Sequence, residues 1–242
     1  TLVFGWGSWV WGGTLVAFPA LLATGMTARM ANIVSTIGLV PGYAGGSVAY
    51  RRELAGQGSR VRALTVTSVL GGIAGAVILL AAPASSFRLV VPYLILGSCA
   101  LLAAQPRVGR WVAGRQGERA GERSEINWAV QAGVFLAAVY GSYFGAGLGV
   151  VLLAIFGILL ADGLQRLNAL KGLLSFVINA VSVAVFAVGG HVDWGPTAVL
   201  AVTAWIGGAA GVGVARRLSP SLLRGAVVTL GTVVAAVLLA TG

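Results

Sequence analysis

The chain has 242 residues, 58% of them hydrophobic and 9% charged, with 37 glycines and a mean hydropathy of +0.94. Soluble domains carry roughly 25% charged residues, and one core of this size cannot hide so much apolar surface, so the composition excludes a soluble globular protein and indicates a membrane protein. The net charge of +10, from 16 Lys+Arg against 6 Asp+Glu, falls in short loops between apolar runs, where it acts as a topology signal; no basic stripe alternates with stacking aromatics, so nucleic acid is not an expected partner.

Leu2 to Ala23 is apolar but interrupted by Gly5, Gly7, Gly12, Gly13 and Pro19, and reads as a broken segment. Thr1 rather than a methionine stands first, and the sequence is expected to begin partway into that segment. Trp6, Trp9 and Trp11 either surround the break or anchor at a membrane interface. Ala31 to Tyr50 follows, with Asn32 near its start and Pro41-Gly42 in its middle, the pattern of a kinked span. Arg51, Arg52, Arg60 and Arg62 mark a loop. Ala63 to Ala82 and Leu89 to Ala104 are the next spans, joined by a turn with Pro83 and Arg88. Cys99, the only cysteine, lies inside the second of them and reads as buried packing. Gln105 to Glu125 is the one long polar stretch, expected to be a cytoplasmic linker between a first repeat, residues 1–104, and a second, residues 126–242.

The second half repeats the layout: a broken segment from Ile126 to Ala161, then spans at Leu167–Val188, Trp194–Ala215 and Leu222–Ala240. Its break is Phe144-Gly145-Ala146-Gly147-Leu148-Gly149. Each glycine costs about 1 kcal/mol relative to alanine inside a helix, so three at every second position unwind the chain there. Irregular backbone at membrane depth is tolerated only where protein buries it or a wet cavity receives it, which makes the break a candidate site. The half-helix that follows would aim N–H groups and a positive dipole end at that site, suiting an anion. Sliding the sequence by 136 positions sets Gly5 on Gly141, Gly13 on Gly149 and Asn32 on Asn168.

Charge bias then constrains the path of the chain. If every apolar segment crossed once, the arginine-rich regions 51–62 and 105–125 would lie opposite Arg216, Arg217 and Arg224, against the positive-inside rule. If segment 126–161 enters and returns to the side it came from, these arginines share the cytoplasmic side with Arg166, leaving Arg29 and Arg88 outside. Each half then has a re-entrant hairpin and three crossings, and an odd number of crossings inverts the second half. The expected fold is an all-α polytopic membrane protein of two inverted repeats, each a broken, re-entrant helical hairpin plus three transmembrane helices.

The candidate substrate-binding residues are Gly12, Gly13, Thr14, Asn32, Tyr143, Phe144, Gly145, Gly147, Gly149, Asn168, Lys171 and Asn179. Lys171, the sole lysine, lies early in an apolar helix, where it either draws an anion to the site or snorkels to the headgroups. Asn168 shares its helix face at i and i+3. Asn32 and Asn179 either line the site or bond between helices, and Tyr143 and Phe144 either wall a pocket or pack. Asp162, His191 and Asp193 fall at span ends and read as solvated or interfacial groups. The runs Gly71–Gly75 and Gly207–Gly211 read as helix-packing faces. There is no HExxH, no GxSxG and no pair of deep acids, so neither an enzyme nor a cofactor or metal site is expected.

The second half resembles the sulfite exporter TauE/SafE family of bacterial membrane transporters in Tyr140-Gly141-Ser142-Tyr143-Phe144-Gly145-Ala146-Gly147, Asn168-Ala169-Leu170-Lys171, Asn179 and Gly190-His191-Val192-Asp193-Trp194. The first half is similar more loosely, through Gly12-Gly13, Pro19-Ala20-Leu21, Ala31-Asn32 and Tyr50-Arg51-Arg52. Ser142 and Leu148 stand where the family usually has glycine, and Thr14 closes a weaker glycine run. The resemblance implies export of sulfite or organosulfonates across the bacterial inner membrane. The expected partners are a small anion and the bilayer, with a homodimer left open. A passive anion channel and a non-transporting membrane assembly subunit are the alternatives.

Overall fold

The computed structural model describes residues 13–49, 52–118, 126–189, 192, 194–202 and 220–241. Every regular element among them is helical: α1 (Gly13–Ala23), α2 (Ala28–Ala49), α3 (Gly58–Ala81), α4 (Ala84–Glu118), α5 (Trp128–Tyr143), α6 (Leu148–Leu159), α7 (Leu164–Gly189), the helical residues 194–202, and α8 (Pro220–Thr241). Segments within α3, α4 and α7 are long and apolar enough to cross a membrane, with mean hydropathies of 2.2, 1.9 and 2.1. Trp6, Trp9, Trp11, Gly12, Tyr50, Arg51, His191, Asp193, Gly207–Gly211, Arg216 and Arg217 lie outside the described residues.

One expected boundary moves. Residues 105–118, read as the start of a linker, continue α4 as helix through Pro106. Alanine, glutamine, arginine and glutamate are good helix formers, so a polar stretch can extend a span into water without unwinding. This extension also packs, since Val112 is fully buried over Gly157, where an added methyl would collide with it.

Helix directions follow from the contacts. Thr67 meets Gln131, and the sites of Gly71 and Gly75 face Phe135 and Val139, so α3 and α5 run the same way. Gly72 against Val181 and Leu80 against Gly189 align α7 with them. Gly133 faces Ile155 while Gly141 faces Leu148, which makes α5 and α6 an antiparallel hairpin returning to the end it left. Leu101 at Gly147 and Val112 at Gly157 set α4 parallel to α6. The guanidinium of Arg29, at the start of α2, donates to the carbonyls of Leu79 (2.7 Å), Leu80 (2.6 Å) and Ala82 (2.5 Å), so α2 begins where α3 ends and runs against it. That cap satisfies carbonyls a helix end leaves open and puts a cation at the negative end of its dipole.

Glycine makes these approaches possible. A Cβ on Gly71 would lie 2.6 Å from the Phe135 carbonyl oxygen, and one on Gly75 would overlap the Val139 carbonyl. Residues Gly71–Gly75 therefore pack helices, as expected. Around them a core of Leu64, Val134, Leu152, Phe156 and Leu174 fills the space between α3, the hairpin and α7. A second core, with Phe18, Phe87, Ile95, Phe144 and Phe186, joins α1, α2 and α4 to the hairpin tip.

The start of α2 at Ala28 is matched 136 residues on by the start of α7 at Leu164.

Candidate functional site

The hairpin tip is built by local chemistry. Asn127 opens α5 by accepting from the Val130 N–H at 3.0 Å, a side-chain N-cap. The helix ends as the N–H groups of Phe144 and Gly145 both turn back to the Tyr140 carbonyl. Gly145 and Gly147 then take φ of +81° and +80°, left-handed backbone that glycine adopts without strain, and Gly147 becomes the N-cap of α6. Protein buries the break. Phe144 is 1% exposed and meets the Phe18 ring of α1 edge to face at 5.7 Å, while Tyr143 meets Phe87 of α4 at 5.5 Å. The Ala146 carbonyl accepts from the Tyr140 hydroxyl (2.5 Å) and the Ser98 hydroxyl (3.0 Å), tying the tip to α4.

Asn32 reaches this tip from α2. Its side chain is fully buried, and its Nδ2 donates to the Tyr143 carbonyl at 2.9 Å. That bond orients the amide, and its Oδ1 is left buried without a hydrogen-bond partner. A buried acceptor with no donor costs about 1–3 kcal/mol, a penalty a bound donor would relieve. The Asn32 carbonyl accepts from the hydroxyls of Ser35 (3.0 Å) and Thr36 (2.9 Å), both buried, so polar groups continue along α2.

Lys171 and Asn168 form a second centre. The lysine is 6% exposed, and its ammonium donates to Asn168 Oδ1 at 2.7 Å. Near them the hairpin base is locked by Asp162. Arg60 of α3 approaches one carboxylate oxygen at 2.5 Å and Arg166 of α7 the other at 2.9 Å, while the Gly163 N–H donates at 2.8 Å. Partial burial opposes ionisation of this carboxyl, but the Gly163 N–H and the two guanidinium groups outweigh it and hold Asp162 below its ordinary range. Of the two readings of Asp162, solvated or interfacial, the structure corrects the first: Asp162 is ion-paired to Arg60 of α3 and Arg166 of α7.

The structure brings Asn32, Tyr143, Phe144, Gly145 and Gly147 together and places the buried Gly149 one residue into α6. Thr14, 6% exposed, and Gly13 lie on α1. Asn32 and Asn168, expected around one midplane site, are not brought together. Arg29 contacts the last residues of α3, whereas the Arg166 carbonyl accepts from Gln57 just before α3 begins. The 24 residues of α3 measure about 36 Å at 1.5 Å per residue, so the asparagines belong to opposite ends of the bundle. Asn179, 4% exposed, lies between, its Nδ2 donating to the Ser175 carbonyl at 2.7 Å.

Of two buried hydroxyls, the sequence marks Ser142 only as a departure from the family's glycine and does not mark Ser182. Ser142 and Ser182 share a 2.6 Å hydrogen bond between α5 and α7, and their signal was legible as hydroxyls inside apolar runs. A cavity of about 550 Å³ opens between α4 and the hairpin, lined by residues such as Leu94, Leu101, Leu136 and Ile155, with Tyr93 and Tyr140 as its only hydroxyls. Such a lining suits hydrocarbon rather than an anion.

A sequence profile of the sulfite exporter TauE/SafE family matches residues 7–238. A relative from Haemophilus influenzae (strain ATCC 51907 / DSM 11121 / KW20 / Rd), described as "Probable membrane transporter protein", is 26% identical over 183 residues, which are 76% of this chain and 69% of that protein. No solved structure matches the chain.

Proposed function

The chain belongs to the sulfite exporter TauE/SafE family of membrane transporters, and from that premise we propose that it exports small sulfur-containing anions, sulfite or organosulfonates, by alternating access. The observation that carries the anion reading is Lys171, the chain's only lysine, buried in a helix whose other side chains from Leu167 to Gly189 are uncharged. A cation held there attracts an anion in a medium of low dielectric.

Alternating access rests on two mouths related by the repeat. Asn32 with the tip of α5 and α6 serves one end of the bundle; Asn168 with Lys171 serves the other. The opposed directions of α2 and α7, whose starts lie 136 residues apart, support two inverted halves, residues 1–104 and 126–242. At the first mouth the open Oδ1 of Asn32 suits an oxyanion that still carries a proton, as hydrogen sulfite does. Arg60, Arg62, Arg107, Arg110 and Arg166 gather at the Lys171 end, and Arg29 and Arg88 lie at the other, which supports an inner-membrane orientation with the Lys171 end cytoplasmic.

The test is flux of sulfite and methanesulfonate in proteoliposomes. Saturable flux with counterflow is expected, and Lys171→Ala should lower it by about ten-fold, the loss of roughly 1.4 kcal/mol of anion attraction, while folded yield holds. Unchanged flux in Lys171→Ala removes the lysine from the mechanism. Flux without saturation or counterflow replaces the transporter by a channel.

A further inference from the structure

Beyond Arg166 the polar side chains of α7 are confined to one line. Between Leu167 and Gly189 they are Asn168, Lys171, Ser175, Asn179 and Ser182, at spacings of three or four residues. At 100° per residue these five fall within an arc of about 80°, and every other side chain in that stretch is apolar or glycine. Lys171, Ser175, Asn179 and Ser182 are 6% exposed or less. Phe186, fully buried on the same line, closes it beyond Ser182.

At Ser182 the line leaves α7 for the hairpin. The Ser182 hydroxyl donates to the Ile178 carbonyl at 2.8 Å and meets the Ser142 hydroxyl at 2.6 Å. The next residue, Tyr143, offers its carbonyl to Asn32. A line of polar groups thus connects the Lys171 mouth to the Asn32 mouth. A helix that only needed anchoring would use one or two polar contacts across its interface. Here the Asn179 amide bonds within α7, to the Ser175 carbonyl, while Ser182 reaches the hairpin through Ser142.

We propose that this line is the permeation path, with Ser175, Asn179 and the Ser142–Ser182 pair offering neutral donors that carry the anion between the two mouths. The proposal rests on the anion-transport reading and assigns its route. Neutral donors suit transit because they stabilise an anion without binding it as tightly as a second cation would. The Ser142–Ser182 bond closes the route where α7 meets the hairpin, and it must exchange its partner for the anion to pass.

The test is cysteine accessibility in a Cys99→Ala background, which removes the chain's only thiol. Single variants Ser175→Cys, Asn179→Cys and Ser182→Cys are treated in membranes with 2-sulfonatoethyl methanethiosulfonate, an anionic thiol reagent, with and without methanesulfonate. Leu170→Cys and Leu174→Cys, on the apolar side of α7 turned away from the line, are the controls. The line should label at least about ten-fold faster than the controls, the margin between a wet path and a thiol that reacts only on local opening, and methanesulfonate should slow it. Ser175→Cys is nearly isosteric, so its result stands even where Asn179→Cys misfolds. Labelling no faster than Leu170→Cys, in a parent protein that transports sulfonate, overturns the path and leaves transport intact. Protected labelling in a parent that transports neither anion keeps the path and removes the sulfur-anion assignment.

Discussion

Replacing Gly75 by alanine tests whether α3 and the hairpin are held at backbone contact. The added methyl would overlap the Val139 carbonyl oxygen and sit 2.9 Å from both Val139 C and Val139 Cα, where ordinary contact begins at 3.4 Å. All three atoms are backbone of α5, so no rotamer relieves the clash and the helices must part. Overpacking costs about 1–3 kcal/mol, and a backbone obstacle places this case near 3. Alanine returns up to about 1 kcal/mol of helix propensity, leaving a net loss of about 2. At about 2–4 °C per kcal/mol for a chain of this length, thermal unfolding in detergent should drop by about 4–8 °C. Gly97→Ala is the control, since nothing lies within 4 Å of its added methyl, and it should melt at or slightly above the parent. A Gly75→Ala protein melting within about 1 °C of Gly97→Ala, well under that expected drop, would refute the close approach.

Two further substitutions test the ion-paired staple and the hairpin tip. Asp162→Asn should lower stability by about 1–3 kcal/mol at neutral pH, the range for hydrogen bonds to a charged group. Because the folded carboxyl titrates below its ordinary value of 3.8, its contribution is complete above that value and is lost as pH falls through the lower folded one. The melting difference between parent and Asp162→Asn should therefore stay flat above about pH 5 and shrink below about pH 4; a difference that grows on acidification contradicts the pairing. Gly147→Ala must place a Cβ at φ +80°, costing about 1–2 kcal/mol, with the Leu101 side chain 3.3 Å away able to yield. A melting temperature equal to the parent's would show that the tip does not need left-handed backbone.

The break at residues 144–149 was legible because alternate glycines contradict helix propensity, and the hairpin because arginine placement forbids a single crossing. The link between Asn32 and Tyr143 was not: the two are 111 residues apart, and no local pattern pairs an amide with a distant carbonyl. Arg29 was legible as a charge on the minority side, but its role as a cap on α3 depends on where α2 starts in space. Composition misjudged residues 105–118, since polarity reports solvent exposure and says little about helicity. The α7 line was fully present as spacing and went unread because asparagines were weighed singly, without the serines between them. The 136-residue offset sets Asn168 on Asn32, yet the two lie at opposite ends of the bundle, a separation one-dimensional alignment conceals.

The first half's α3 is parallel to the second half's α5 and α7 and lies in their grooves, so its partners are synthesised long after it. Gly71 is translated 64 residues ahead of Phe135. At 5–20 residues per second the ribosome takes roughly 3–13 s to cover that distance. Through that interval a helix carrying Gly71, Gly72 and Gly75 stands in lipid without its mate, a surface any nascent span could occupy. Biogenesis must therefore protect an unfinished intermediate in which α3 waits for α5 and α7.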